Sequence, residues 1–271
     1  MFLDIDYHPC QGAVTYKNGY QTLMASQPLS HWVHGFWQLN VPTGEFCYRS
    51  IPDNCVDLVV NQNDPQEIFI VPPFASPLVF ELAGPVSYFG IRFRILGHLG
   101  FIPVPLGEWN ASDQDARTAE VVPSPVLNAV HESFARPMNF NARCQYLTAR
   151  LLATVQDPDI DPRLARYIRY CHKNTSSNIS ISDRQCSEFG LSARQLRRLS
   201  QLYLGLSPRG FARVQRFQHA LHLMKTVRYE SAWLDCYYDQ PHFIREFKQL
   251  SGVTPTEFKT LSVLYNSEQG N

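Results

Sequence analysis

The chain has no apolar run near the ~20 residues that span a bilayer, and no basic stretch with an apolar core opens it. A membrane protein and an exported one are therefore not expected; the cytoplasm is the expected location. The seven cysteines are odd in number, scattered and without a CxxC, which argues against a disulfide framework and for reduced thiols. GxSxG, P-loop and HExxH patterns are absent, so no catalytic residue, cofactor or enzyme activity is expected. His31 and His34 lie three apart on an expected strand, which sends them to opposite faces, and no third ligand stands at metal spacing. No metal site is expected. Cys55 would be a nucleophile only beside a base.

What the chain does have is length, apolar content and an uneven distribution of charge. Its 271 residues exceed the usual single-domain size, and an apolar content of 44% suffices for ordinary cores. Net charge is zero, yet residues 1–160 carry 8 Lys+Arg against 15 Asp+Glu, and residues 161–271 carry 16 against 9. The basic half is the one expected to meet a polyanion. Between the halves, Gln156 to Pro162 contains two prolines and three aspartates, a composition that disfavours helix and is expected to bury nothing. The expected division is 1–156, a linker at 157–162, and 163–265.

In the first half, short strand-like segments are separated by Pro, Gly and Asn. Ile91, Phe93 and Ile95 alternate with Arg92 and Arg94, the pattern of a half-buried strand. His31 to Trp37 and Cys55 to Val60 are further candidates. Many short strands point to a β-sandwich or barrel. Ser124-Pro125 then reads as an N-cap followed by proline at the first helical position. Val126, Val130 and Phe134 form one helical stripe. Leu147, Leu151 and Val155 form another, in a helix starting near Asn139. Such stripes pack either on their own barrel or on a second copy.

In the second half, Ser182 to Phe189 reads as a short helix and Gly190-Leu191 as a turn. Ser192 caps the next helix, in which Leu196 and Leu199 point inward while Arg194, Arg197 and Arg198 face outward. That helix stops at Gly205-Leu206-Ser207-Pro208. The plan repeats downstream: Phe243, Phe247 and Leu250 form a buried stripe, Gln240, His242, Arg245 and Lys248 project elsewhere, and Gly252-Val253-Thr254-Pro255 ends the helix. Two short helices joined by a tight turn, twice over, make a duplicated helix-turn-helix.

Asp239-Gln240-x-His242-Phe243-x-Arg245-x-Phe247-Lys248 with Gly252-Val253-Thr254-Pro255 resembles the C-terminal signature of the AraC/XylS family of bacterial transcription regulators. Gly190-Leu191-Ser192-x-Arg194-Gln195-Leu196-x-Arg198 with Gly205-Leu206-Ser207-Pro208 resembles that family's first helix-turn-helix, and Arg216, Ala220 and Leu223 resemble its connecting helix. Pro52 to Leu58 and Phe89 to Arg94 resemble, less strongly, the N-terminal region of one subgroup. The resemblance implies an α+β protein of two domains: a β-rich, cupin-like barrel with helices, then an all-α tandem helix-turn-helix. It implies a sequence-specific regulator, typically an activator, whose DNA-binding residues are Arg194, Gln195, Arg197, Arg198, Gln240, His242, Arg245 and Lys248. Double-stranded DNA is the implied partner, with RNA polymerase, a small-molecule effector and a second copy as further ones. The effector-binding residues are not defined; Arg49, Arg92 and Arg94 are candidate anion anchors in an aromatic pocket.

The chain departs from the pattern at Cys236, where glycine is usual, at Ser231, where an aliphatic residue is usual, and at Cys186, which replaces alanine. A left-handed turn at Cys236 would cost a non-glycine residue about 1–2 kcal/mol. Arg216 reads equally well as a DNA contact or as an ion-pair partner. Two alternatives stay open: a DNA-repair or alkyl-transfer protein, which needs a metal-bound or activated cysteine cluster near the N-terminus that Cys10 alone does not provide, and an interaction adaptor with degenerate DNA binding.

Overall fold

A computed structural model describes residues 3, 5–108, 121–175, 181–226 and 236–266. Six strands form one antiparallel sheet: β1 (Tyr20–Met24), β2 (Val33–Ser50), β3 (Val56–Asn61), β4 (Ile68–Val71), β5 (Leu78–Phe93) and β6 (Leu264–Asn266). Their order is β1-β2-β5-β3-β4, with β6 also paired to β2. The long strands β2 and β5 form the central ribbon, from Val33 opposite Phe93 to Ser50 opposite Leu78, with register shifts at Val33/Gly35 and Val41/Gly44. Such shifts bend a strand and let one ribbon serve two parts of a sheet. The upper part of β2 takes β1 as neighbour, and Phe46 to Tyr48 take β6.

Period-two alternation sends Phe89, Ile91 and Phe93 into the main core with Phe36, Leu58, Val60 and Ile70. Helices α1 (Ser124–Phe134) and α2 (Phe140–Thr154) close that core with Val126, Val130, Leu147 and Leu151. The two helical stripes thus pack on their own sheet. Asn139 caps α2 by accepting from the Ala142 N–H. At α1 the cap falls one residue earlier than expected, on Pro123, and Ser124 is the first helical residue. His31 belongs to a 3-10 turn rather than a strand, and Ile95 lies beyond the end of β5.

The remaining helices are α3 (Pro162–Lys173), α4 (Asp183–Glu188), α5 (Ala193–Leu204), α6 (Pro208–Thr226), α7 (Gln240–Ser251) and α8 (Pro255–Thr260). Residues 155–161 are irregular, as the prolines require, but they do not stand free. Ile160 is buried in a core that joins Tyr7, Cys55, Leu96 and Leu99 to Leu164, Tyr167, Leu196 and Phe211. A third core joins Cys10 and Ile51 to Val214, Phe217, Phe243 and Phe247. The expectation that the linker buries nothing fails because an apolar residue among its aspartates has a core within reach.

Candidate nucleic-acid interface

Helices α4 and α5 form a compact pair. Ser182 accepts from the Gln185 N–H and caps α4; Asp183 Oδ1 accepts from the Ala193 N–H at 3.0 Å and ties the two helices together. Ser192 and Gln195 form a reciprocal capping box at the start of α5, satisfying two N–H groups that a helix end leaves unpaired. Cys186, Phe189, Leu191, Leu196 and Leu199 are buried against Tyr167 and its neighbours. Arg194, Gln195, Arg197 and Arg198 are all exposed. The Gln195 side-chain oxygen accepts from the Ser192 N–H at 2.9 Å, so it acts in the cap.

Helix α7 repeats the design. Asp239 accepts from the His242 N–H at 2.7 Å, and Phe243, Phe247 and Leu250 are fully buried. Gln240, Arg245 and Lys248 are exposed. His242 is half-buried, its ring edge-to-face with Tyr237 at 5.5 Å, so it stands apart from those three. Residues 227–235, with Ser231, lie outside the described residues, and so does the approach to Cys236, which is itself buried. Both α5 and α7 end on a glycine in the left-handed region, Gly205 (φ 67°) and Gly252 (φ 81°), where a Cβ would be strained.

The connector α6 has 19 residues, roughly 28 Å at the α-helical rise. It grips α7 through Glu246, which receives Arg213 Nε at 2.8 Å and Arg216 Nη2 at 3.1 Å. Arg213 also donates to Gln249 Oε1, and the Arg216 guanidinium lies 5.1 Å from the centre of the Tyr237 ring. Arg216 is therefore a structural ion-pair partner. In contrast, Arg194, Arg197, Arg198 and Arg245 make no ion pair among the described residues. These arginines thus divide into those that hold helices together and those that stay exposed without an ion pair among the described residues.

The sheet reaches the C-terminal ends of both α5 and α7. A Cβ on Gly205 would meet Leu106 and Pro73; one on Gly252 would lie 2.3 Å from Arg49 Nη1 and 3.4 Å from Pro77. Gln218 of α6 donates to the Pro52 and Cys10 carbonyls (2.7 and 3.1 Å) and accepts from the Cys10 N–H (2.6 Å). Asn54 donates to the Phe211 carbonyl at 3.1 Å. Behind that loop Arg92 makes a two-point contact with Asp57 (3.0 and 2.8 Å) and reaches Asp53 at 3.3 Å. Burial, then the Asp57 charge, pushes the Asp53 carboxyl above the usual carboxylate range.

Each of the three suggested anion anchors has a partner within the protein. Arg92 is committed to Asp53 and Asp57, Arg94 donates to the Ser30 carbonyl at 2.6 Å, and Arg49 lies against Gly252 and the Tyr265 ring. The aromatic residues expected to line a pocket fill the interior instead: Phe89 contacts Phe36, Phe134 and Phe140, and Phe93 contacts Phe101. The cysteines are all free thiols. Burial raises Cys55 well above its usual value and raises Cys10 as well.

A family profile described as a helix-turn-helix domain matches residues 185–260, and one described as a domain of unknown function (DUF6597) matches residues 21–115. The C-terminal part of the chain is thus a helix-turn-helix domain, and the chain has the makings of a DNA-binding transcription regulator. No curated protein sequence matches the chain. Among solved structures, ToxT from Vibrio cholerae is similar at 14% identity, covering 89% of this chain and 97% of that one, with a TM-score of 0.40. Wild-type ToxT from strain SCE256 with bound unsaturated fatty acid is similar at 12% identity, covering 84% and 89%, with a TM-score of 0.41. The likeness is distant, and no residue role passes across it. Among the described residues no helix is long and apolar enough to cross a membrane.

Sequence reasoning passed over two features. Glu246 appears as one more surface acid in the sequence, although its place beside Arg245 on a helix following an arginine-rich connector was a usable hint. Ile244 falls outside the stripe set by Phe243, Phe247 and Leu250, which was signal enough to mark it as outward-facing.

Proposed function

We propose that the chain is a cytoplasmic, sequence-specific transcription regulator that lays α5 and α7 into two successive major-groove segments. Residues 163–265 would be the reading unit and residues 1–156 the regulatory one. The observation that carries the reading is the sorting of arginines: those on the outer faces of α5 and α7 are exposed and make no ion pair among the described residues, while Arg213 and Arg216, between helices, share Glu246. Arginine's fork matches guanine O6 and N7, so Arg194, Arg197 and Arg198 favour guanine in the first segment. Gln240 and Arg245 would read the second, with Lys248 on phosphate. An effector, a second copy or RNA polymerase would act through the sheet, whose loops touch the ends of both reading helices.

Sites selected from random DNA by the full chain provide the test. Arg198→Ala is expected to weaken the selected site by about 1–3 kcal/mol, roughly 5- to 150-fold, and scrambled DNA far less. Equal losses on both would remove Arg198 from base reading. Lys248→Ala is expected to weaken both DNAs alike and to lower the salt slope by about 1. An unchanged slope would remove it from the phosphates.

A further inference from the structure

We propose that the second reading helix recognises thymine by its 5-methyl group, with Ile244 as the contact residue. The proposal rests on the DNA reading above and assigns its second half a base. Every other large apolar side chain on α7 (Phe243, Phe247, Leu250) is fully buried, whereas Ile244 is 37% exposed. One residue on from Phe243, it is turned about 100° off the buried stripe. Pro241, Ile244, Arg245, Lys248 and Gln249 line a single open depression. The spacing 241, 244/245, 248 is that of one helix face.

The chemistry of this patch is selective. Its centre is hydrocarbon from Ile244 and Pro241, and its cationic edge is Arg245 and Lys248. Gln249 is drawn back to Arg213 through its side-chain oxygen. A polyanion with one apolar feature on its reading edge fits that pattern. On the major-groove edge thymine alone carries such a feature, the methyl on C5; guanine, adenine and cytosine present donors and acceptors. Ile244 has no polar atom with which to satisfy those groups, so covering them would leave them unpaired and disfavoured. The equivalent positions of α5 are Arg194, Arg197, Arg198, Gln201 and Leu202, with arginine at the place of Ile244. The two readers therefore differ in kind: the first suits guanine, the second thymine.

The test uses the full chain and its selected site. Each thymine in the segment covered by α7 is replaced singly by deoxyuridine, which removes the methyl and keeps the pairing. At one or two positions the wild type is expected to lose about four-fold in affinity, the equivalent of one buried methyl group. Ile244→Ala is expected to bind the thymine site less tightly and to be indifferent to deoxyuridine there, while Ile244→Val keeps part of the sensitivity. Deoxyuridine without effect at every position, or an effect undiminished in Ile244→Ala, would overturn the proposal and leave the face to a protein partner. Failure to enrich any sequence at all would overturn the DNA reading itself, and this proposal with it.

Discussion

Arg92→Met is expected to cost the folded chain about 3–5 kcal/mol at neutral pH, the range seen when one partner of a buried ion pair is removed. The side chains of Arg92, Asp53 and Asp57 are only 11%, 5% and 12% exposed, so the two carboxylates left behind would have little water to turn to. Trp37 Nε1, the Cys55 N–H and Gln11 Nε2 would still donate to them (3.1, 3.0 and 3.0 Å), but three neutral donors do not replace a cation. The pH dependence has a definite sign. Asp53 already titrates above the ordinary carboxylate range, chiefly through burial. A carboxyl raised on folding loses stability as pH rises from its unfolded value, about 3.9, through its folded one. Removing Arg92 raises it further, so the deficit should shrink on acidification. Urea midpoints of both proteins at pH 7 and pH 5 check this; a deficit that stays constant or grows at pH 5 would contradict it.

Phe247→Ala is expected to destabilise the second reading unit by about 3–5 kcal/mol. Phe247 is fully buried, with the rings of Phe217, Phe243 and Phe258 at 5.2, 5.4 and 5.5 Å. These come from the connector, from α7 itself and from α8, so one truncation loosens three helices. The first reader packs around a different core, built on Tyr167, Leu196 and Phe211. Footprints are therefore expected to shorten to the segment covered by α5, with a lower unfolding midpoint by circular dichroism. A full-length footprint together with an unchanged midpoint would show that this cluster does not hold α7 in place.

The parts of the chain set by local rules were legible in the sequence. Ser192 caps the helix that its position announced, and Gly205 and Gly252 take the left-handed conformation that the stops implied. Phe243, Phe247 and Leu250 were readable as a buried stripe because period alone decides it. Long-range arrangements were not. Asn54 meets Phe211 and Cys10 meets Gln218 across 157 and 208 residues, and no periodicity records such a meeting. Arg49, Arg92 and Arg94 looked like ligand anchors because composition shows a charge without showing the acid, carbonyl or helix end that uses it. The exposed arginines of α5 were visible in sequence; that they remain without ion pairs was visible only in three dimensions.

The three residues Leu264, Tyr265 and Asn266 lie side by side with Tyr48, Cys47 and Phe46, and Val263 bonds to both Arg49 and Ala13. This stretch, which follows α8, is thereby woven into the sheet formed by the first half of the sequence. Cutting out the basic half would unravel that seam and lay bare Val263 and Leu264. Conversely, any shear along the lower part of β2 would tug on α8 and hence on α7. The placement of α7 is thus mechanically tethered to the sheet, with no messenger needed in between.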